Sequence, residues 1–287
     1  MKKALIIAVF LVFYATNSFA VSLSKVERAT NVCLGELRSY VCDVDTKQFE
    51  NFMKKFTSGM PEDMPRPKKP VLKKYWHKKR GMVIRVEGKN IFPYMTERAK
   101  QMSSQFAVEL SCFFLPMDAK KERAKLLKDA ELSVRKDGDI EIYTITFKEK
   151  KDIGNLFFKT GLPIPTNDVK SIEIIFNEKE SLLEGLGIFY EKDQINTVSL
   201  DLKINYMELE GKKYIDEINF KMSDESLKGS FKTEFTKIDK YYLPAKQIRI
   251  TEGKDVPEEN RKIEVNFKNY KLNVKIPKKI FFEEKNK

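Results

Sequence analysis

From Leu132 to Phe267 the chain returns again and again to an apolar residue at every second position, and this alternation limits the folds open to it more than any other feature. Val198, Leu200, Leu202, Ile204 and Tyr206 share one parity; Thr197, Ser199, Asp201, Lys203 and Asn205 share the other. A period of two sends successive side chains to opposite faces of a strand, so each such segment has one apolar and one polar face. Ile218, Phe220 and Met222 repeat the pattern, followed by Leu227, Phe231 and Phe235, by Ile248 and Ile250, and by Ile263, Val265 and Phe267. Turn signals at Asp137-Gly138, Gly211-Lys212, Ser223-Asp224, Asp239-Lys240 and Gly253-Lys254 separate the runs. Long alternating strands joined by short turns predict an antiparallel meander with one greasy face.

A sheet of that size must hide its apolar face under helices, by curling on itself, or both. The remaining sequence supplies cover. "TERAKQMSSQFAVELSCFF" predicts a helix with Thr96 as N-cap and an apolar stripe of Ala99, Met102, Phe106, Leu110 and Phe113, closed by Pro116. "DAKKERAKLLKDAEL" predicts a second, shorter helix, and "SLSKVERATNVCLGELRSY" an N-terminal one. "SYVCDVDTKQFENFMKKF" reads as the opening of a strand, and the four prolines of "MPEDMPRPKKP" as an extended loop. In the strand that follows, Trp76, Met82, Ile84 and Val86 share one face. The expected class is therefore α+β, with helices over the concave side of a large curved sheet.

The first twenty residues carry a separate message. Met1-Lys2-Lys3, an apolar run from Ala4 to Tyr14 and then Ser18-Phe19-Ala20 are the three parts of a secretory signal peptide, with the cut expected after Ala20. The domain expectation is a signal peptide over 1–20 and a single domain over 21–287. Removing Lys2 and Lys3 lowers the formal charge from +12 to +10. Export argues against nucleic acid as the reason for this charge; the Lys residues alternate with Glu and Asp along the strands, so much of it reads as an ordinary solvated face, with an anionic membrane surface or an acidic partner as the alternatives. In an oxidising compartment two of Cys33, Cys42 and Cys112 can pair; Cys33–Cys42 is the expected bridge, and three buried thiols the alternative.

No enzyme signature is present. His77 is the only histidine, it sits in "YWHKKR" with no acid partner beside it, and no HExxH, GxSxG, P-loop or GxGxxG pattern occurs. No cofactor and no metal site is expected. A carboxylate hydrolase would need acidic residues converging in a cleft, which spacing does not reveal. "DIGNLFFKTGLPIPTND" interrupts the strands with Phe157 and Phe158 between turn residues; it reads as an apolar flap or as a loop packed on the core.

The order of these elements, with two short stretches, resembles the LolA/LolB lipoprotein-localisation superfamily, of which the chain reads as a divergent member. "KYYLPAKQIRI" is similar to that family's late strand with its Leu-Pro step. "KIEVNFKNYKLNVKIPKKIF" is similar to its closing pattern, here carried by Tyr270, Asn273, Pro277 and Phe281. The resemblance implies a half-open β-barrel with a helical lid that binds acyl chains of lipids or lipoproteins non-covalently in the periplasm. It implies a membrane-protein partner on the inner or outer membrane; no nucleic-acid partner is expected of an exported chain. The cavity would be lined by Trp76, Met82, Ile84 and Val86, by Met102, Phe106, Leu110 and Phe113 of the long helix, and by Val198, Leu200, Leu202, Ile218, Phe220, Phe231 and Phe235. In "KKRGMVIRV", Arg80 matches the arginine that helps hold the family's lid shut, although Gly81 stands where the family has Pro; Arg80, Phe157 and Phe158 are thus the expected gate. The alternative is a non-enzymatic envelope assembly module with a filled core and a basic partner-binding face.

Overall fold

A computed structural model describes residues 23–29, 35–98, 114–116, 119–158, 164–191 and 197–281. The expected signal peptide, the helix residues Met102, Phe106, Leu110 and Phe113, and Cys33 and Cys112 lie outside the described residues.

Among the described residues, twelve strands form one antiparallel sheet. They are β1 (Ser39–Asp45), β2 (Lys68–His77), β3 (Gly81–Lys89), β4 (Ala130–Asp137), β5 (Ile140–Lys151), β6 (Val169–Asn177), β7 (Leu182–Glu191), β8 (Thr197–Leu209), β9 (Lys212–Met222), β10 (Leu227–Ile238), β11 (Tyr241–Gly253) and β12 (Lys262–Leu272). Their spatial order is β3-β2-β1-β12-β11-β10-β9-β8-β7-β6-β5-β4. From β4 to β12 every strand pairs with its sequence neighbour, and β12 returns beside β1. The sheet is not closed: β3 and β4 are its two edges. The outer edge β4 is mostly exposed and carries Glu131, Arg135, Lys136 and Asp137, charges that blunt edge-to-edge pairing.

Residues directly opposite one another across antiparallel strands point to the same side, so the register traces one inner face across the sheet. It runs from Val86, Leu72 and Val44 to Phe267 in one row. In another it runs from Ile263 through Arg249, Phe231 and Ile218 to Ile204. Leu202, Leu186, Ile174 and Tyr143 continue it toward β4. Twelve strands about 4.8 Å apart make a sheet roughly 50 Å across. Its apolar side chains are nonetheless buried from β3 to β5, which requires curvature and helical cover.

The cover comes as two lobes. Helices α2 (Lys47–Ser58) and α3 (93–98) pack Phe49 and Met95 against β1–β3, β11 and β12, around Tyr40, Trp76, Ile84 and Phe267. Helices α1 (Ser24–Ala29), α4 (Lys120–Leu127) and α5 (Gly154–Phe157) pack against β5–β10, around Ile145, Ile172, Leu186, Leu200 and Phe220.

Three expectations need correction. The one strand expected to carry Trp76, Met82, Ile84 and Val86 is the hairpin of β2 and β3, turning at 78–80; antiparallel pairing still puts the four on one face, with Trp76 opposite Met82. The stretch read as one opening strand is strand β1 followed by helix α2; Thr46 ends the strand, and Phe49, Phe52, Met53 and Phe56 then step at three- and four-residue intervals, the helical period. Thr96 is not an N-cap, because the helix starts at 93, where Pro93 occupies the first turn it favours and Thr96 lies inside.

Beyond β12, the chain doubles back across β1 to β3. Arg38 N–H donates to Asn273 Oδ1 at 3.0 Å and Ser39 Oγ donates to Val274 O at 2.7 Å. Arg85 donates through Nη2 to Ile280 O at 2.7 Å. The closing motif of Asn273, Pro277 and Phe281 is thus a strap along one edge of the sheet.

Candidate inner-face binding site

The expected cavity residues that are described all belong to the inner face. Ile84, Val86 and Trp76 are buried in the first lobe, with Met82 packed beside them; Val198, Leu200, Leu202, Ile218, Phe220 and Phe231 are buried in the second, with Phe235 half-buried at its margin. The register explains the grouping: Met82 faces Trp76, Leu202 faces Phe220, and Phe231 faces Ile218. They fall into two lobes rather than one continuous greasy surface.

The three expected gate residues part company. Phe157 and Phe158 join the second lobe, where Phe114 lies 6.4 Å and 5.6 Å from them between ring centroids and Leu115 N–H donates to Phe157 O at 2.9 Å. The interruption that sequence left open between flap and packed loop therefore has its two phenylalanines buried against the core. Arg80 contacts the strap instead: its Nη1 donates to Ile276 O at 3.4 Å and its guanidinium lies 5.8 Å from the Phe281 ring.

A different arginine ties the second lobe's cover together. Arg123 of α4 is 1% exposed. It donates through Nη1 to Pro116 O at 3.0 Å and Leu156 O at 2.8 Å, and through Nη2 to Glu27 Oε1 of α1 at 2.7 Å. Burial alone would push the Glu27 carboxyl up, but hydrogen bonds from Arg123 and Lys120 outweigh it and hold the group below its usual range. At its other side α1 is fixed to the sheet: Lys25 donates to Glu141 at 3.1 Å and to Glu178 at 2.6 Å. Tyr143 donates to Glu141 at 2.7 Å, and burial with that carboxylate pushes the phenol up to about 12. No local pattern in "KKERAKLL" marks Arg123 as the buried position among its basic neighbours.

Between the lobes the inner face turns polar. Sequence alternation on β11 makes Ile248 and Ile250 the apolar face, yet Ile250 is 40% exposed while Gln247, Arg249 and Thr251 are buried. The neighbours force this: Arg249 is locked opposite Phe231 on β10 and Ile263 on β12, and Gln247 opposite Thr233 and Val265, all inner-face positions. A strand held on both sides cannot slip by one residue without turning both ladders inside out. Burial pushes the Arg249 guanidinium down to about 10. A second inner-face cation, Lys74 of β2, is fully buried with its ammonium 5.0 Å from the Phe267 ring and 5.6 Å from that of Tyr40.

On the rim, Glu36, Arg38, His77, Lys78, Lys79, Asp239, Lys240, Tyr241 and Asn273 line an open groove of about 1350 Å³. His77 is held below its usual range by burial and then by Arg80 and Lys79, which suits a neutral side chain in a basic rim. Among the described residues no group of three or more His, Cys, Asp or Glu is placed to hold a metal ion, and no helix is long and apolar enough to cross a membrane. Cys42 is buried on the inner face of β1; its expected partner Cys33 is outside the described residues.

No family model matches the sequence, and no curated protein matches it. Among solved structures, the chain is similar to a LolA superfamily protein from Nitrosomonas europaea, at 8% identity over 92% of this chain and 98% of that one, with a TM-score of 0.31. At that score the function has to be argued from this chain's own side chains.

Proposed function

We propose that the protein is a periplasmic carrier that holds acyl chains of lipids or lipoproteins non-covalently against the inner face of its sheet. The observation that carries this reading is the inner face itself: strand after strand, from Val86 on β3 to Ile145 on β5, aims apolar side chains to one side of a sheet that remains open at both edges. An open sheet can admit a guest at its edges, as a closed barrel cannot. Each buried methylene contributes about 0.8 kcal/mol, so one or two chains give useful but reversible affinity. The helices α1, α4 and α5 with Phe157 and Phe158 act as the lid over the second lobe. The basic rim groove with Arg38, Lys78, Lys79 and Lys240 suits docking to an acidic membrane partner.

The test is direct. The secreted mature protein, purified without detergent, is extracted with organic solvent and the extract analysed by mass spectrometry. Co-purified lipid, and a thermal midpoint that rises when saturated fatty acids are added back, support the carrier. An extract free of lipid together with an unchanged midpoint refutes it and favours the assembly module with a filled core.

A further inference from the structure

We propose that the β3 edge of the sheet, the β2–β3 hairpin with the strap laid over it, docks the protein on a bilayer surface rich in anionic phospholipid. The positive charge is not spread as alternation along the strands suggests. Residues 68–89 carry nine Lys and Arg against Glu87 alone, and the strap, residues 271–281, carries four Lys and no acid. Subtracting these thirteen cations and one acid from the chain's 54 and 42 leaves 41 of each, so the whole formal excess of +12 resides in these two stretches. The fold brings them together: Arg80 donates to Ile276 O at 3.4 Å, Arg85 to Ile280 O at 2.7 Å, and the His77 and Phe281 rings lie 6.1 Å apart between centroids.

Elsewhere the lysines are neutralised in place. Lys213 pairs with Glu180 at 2.6 Å, Lys221 with Glu225 at 2.9 Å and Lys228 with Glu252 at 3.0 Å. On the hairpin, Lys74 is buried on the inner face, and Lys73 lies 3.8 Å from Asp43 and 3.3 Å from Glu87. Lys79, Lys89, Lys275, Lys278 and Lys279 are exposed and have no ion pair among the described residues. The kind of charge selects the partner. Arg80 and Arg85 are half-buried and turned to strap carbonyls, so what faces water is lysine. Lysine is a strongly hydrated point charge on a flexible stem, suited to a diffuse layer of headgroups. Protein interfaces instead favour arginine and aromatic side chains and are depleted in lysine. Each lysine near an anionic bilayer surface strengthens binding about fivefold, an attraction that salt screens.

The experiment mixes the secreted protein with vesicles of phosphatidylglycerol and phosphatidylethanolamine, with vesicles of phosphatidylcholine, and with poly-glutamate. Binding is read by co-sedimentation for the vesicles and by fluorescence anisotropy for the polymer. Two variants each lose four positive charges. One carries Lys79→Gln, Lys275→Gln, Lys278→Gln and Lys279→Gln; the other carries Lys213→Gln, Lys221→Gln, Lys228→Gln and Lys237→Gln on β9 and β10. All eight side chains are exposed, so neither set disturbs the core. The expected result is binding to the anionic vesicles that weakens as salt is added, with none to phosphatidylcholine. The hairpin and strap variant is expected to lose about a hundredfold or more in affinity, and the β9–β10 variant less than about tenfold. Equal losses in the two variants overturn the location, and equal binding to phosphatidylcholine overturns the electrostatic basis. Poly-glutamate bound more tightly than the anionic vesicles overturns the bilayer assignment and gives the face to an acidic protein. Failure to bind either overturns the docking face altogether. No arm measures acyl binding, so the carrier reading stands or falls separately.

Discussion

Replacing Arg123 by methionine tests whether the helical cover of the second lobe is held by one buried cation. The change keeps the unbranched apolar stem and its volume, so the cavity contribution is small. It removes a 2.7 Å ion pair to Glu27 and two hydrogen bonds, at 3.0 and 2.8 Å, to the carbonyls of Pro116 and Leu156. Breaking a buried pair by deleting one partner costs about 3–5 kcal/mol, because the other charge stays behind. Lys120, 2.8 Å from Glu27 and half exposed, returns about 1 kcal/mol at most. The net expectation is a loss of about 3 kcal/mol, a large share of the roughly 5–15 kcal/mol that holds a typical domain. Urea denaturation of the protein measures the total. Hydrogen exchange locates it: protection is expected to fall at 24–29, 114–116 and 154–158 and to persist along β8–β10. The double variant Glu27→Leu with Arg123→Met removes both charges and is expected to recover about 2 kcal/mol relative to R123M alone. A single variant within about 1 kcal/mol of the parent, or a double variant no more stable than the single, refutes the role given to Arg123.

The same pair sets a pH response. The folded Glu27 carboxyl lies below its ordinary 4.5, so its contribution is complete above that value and is lost as pH falls through the folded one. Stability is expected to decline below about pH 4.5 in the parent and less steeply in R123M, where burial is opposed only by Lys120; parallel acid titrations of the two would contradict this. Gly229→Ala probes the backbone of β10: a Cβ there would sit 2.1 Å from Ile250 O and 2.6 Å from the Phe220 ring, so β10 and β11 must separate. A loss of about 3 kcal/mol is expected from overpacking, against near-neutral Gly59→Ala, whose closest neighbour is at 3.7 Å; equal melting temperatures for the two variants would refute the close approach.

The strands were legible because alternation is a local signal. Val198 through Ile204 and Ile263 through Phe267 need only their own parity to declare a face, and both segments bury the residues that parity selects. Helix α2 was obscured because Thr46 gives no side-chain capping bond and the alternating "SYVCDVD" runs directly into it. Arg123 was invisible for a different reason. Its partners lie 96 residues away at Glu27 and 33 away at Leu156, and nothing within α4 separates it from Lys120, Lys121 or Lys125. The strap was visible as a motif, Tyr270 to Phe281, but its purpose comes from Arg85 and Ser39, which meet it only in the folded sheet.

Strand β11 shows how local preference and global register compete. Taken alone, "QIRIT" would turn Ile248 and Ile250 inward and Arg249 to water. Eight paired positions with β10 and β12, from Ile250↔Lys262 to Thr233↔Gln247, fix the opposite arrangement. The hydrophobic cost falls on Ile250, left substantially exposed, and the desolvation cost falls on Arg249. A core selected only for stability would exchange Gln247, Arg249 and Thr251 for apolar side chains, since well-packed hydrophobic replacements of buried charged groups are often neutral or stabilising. The neighbours decide the outcome: Phe231 and Ile263, opposite Arg249, face inward by their own strands' alternation, so the register of β10 and β12 sets which face of β11 is buried.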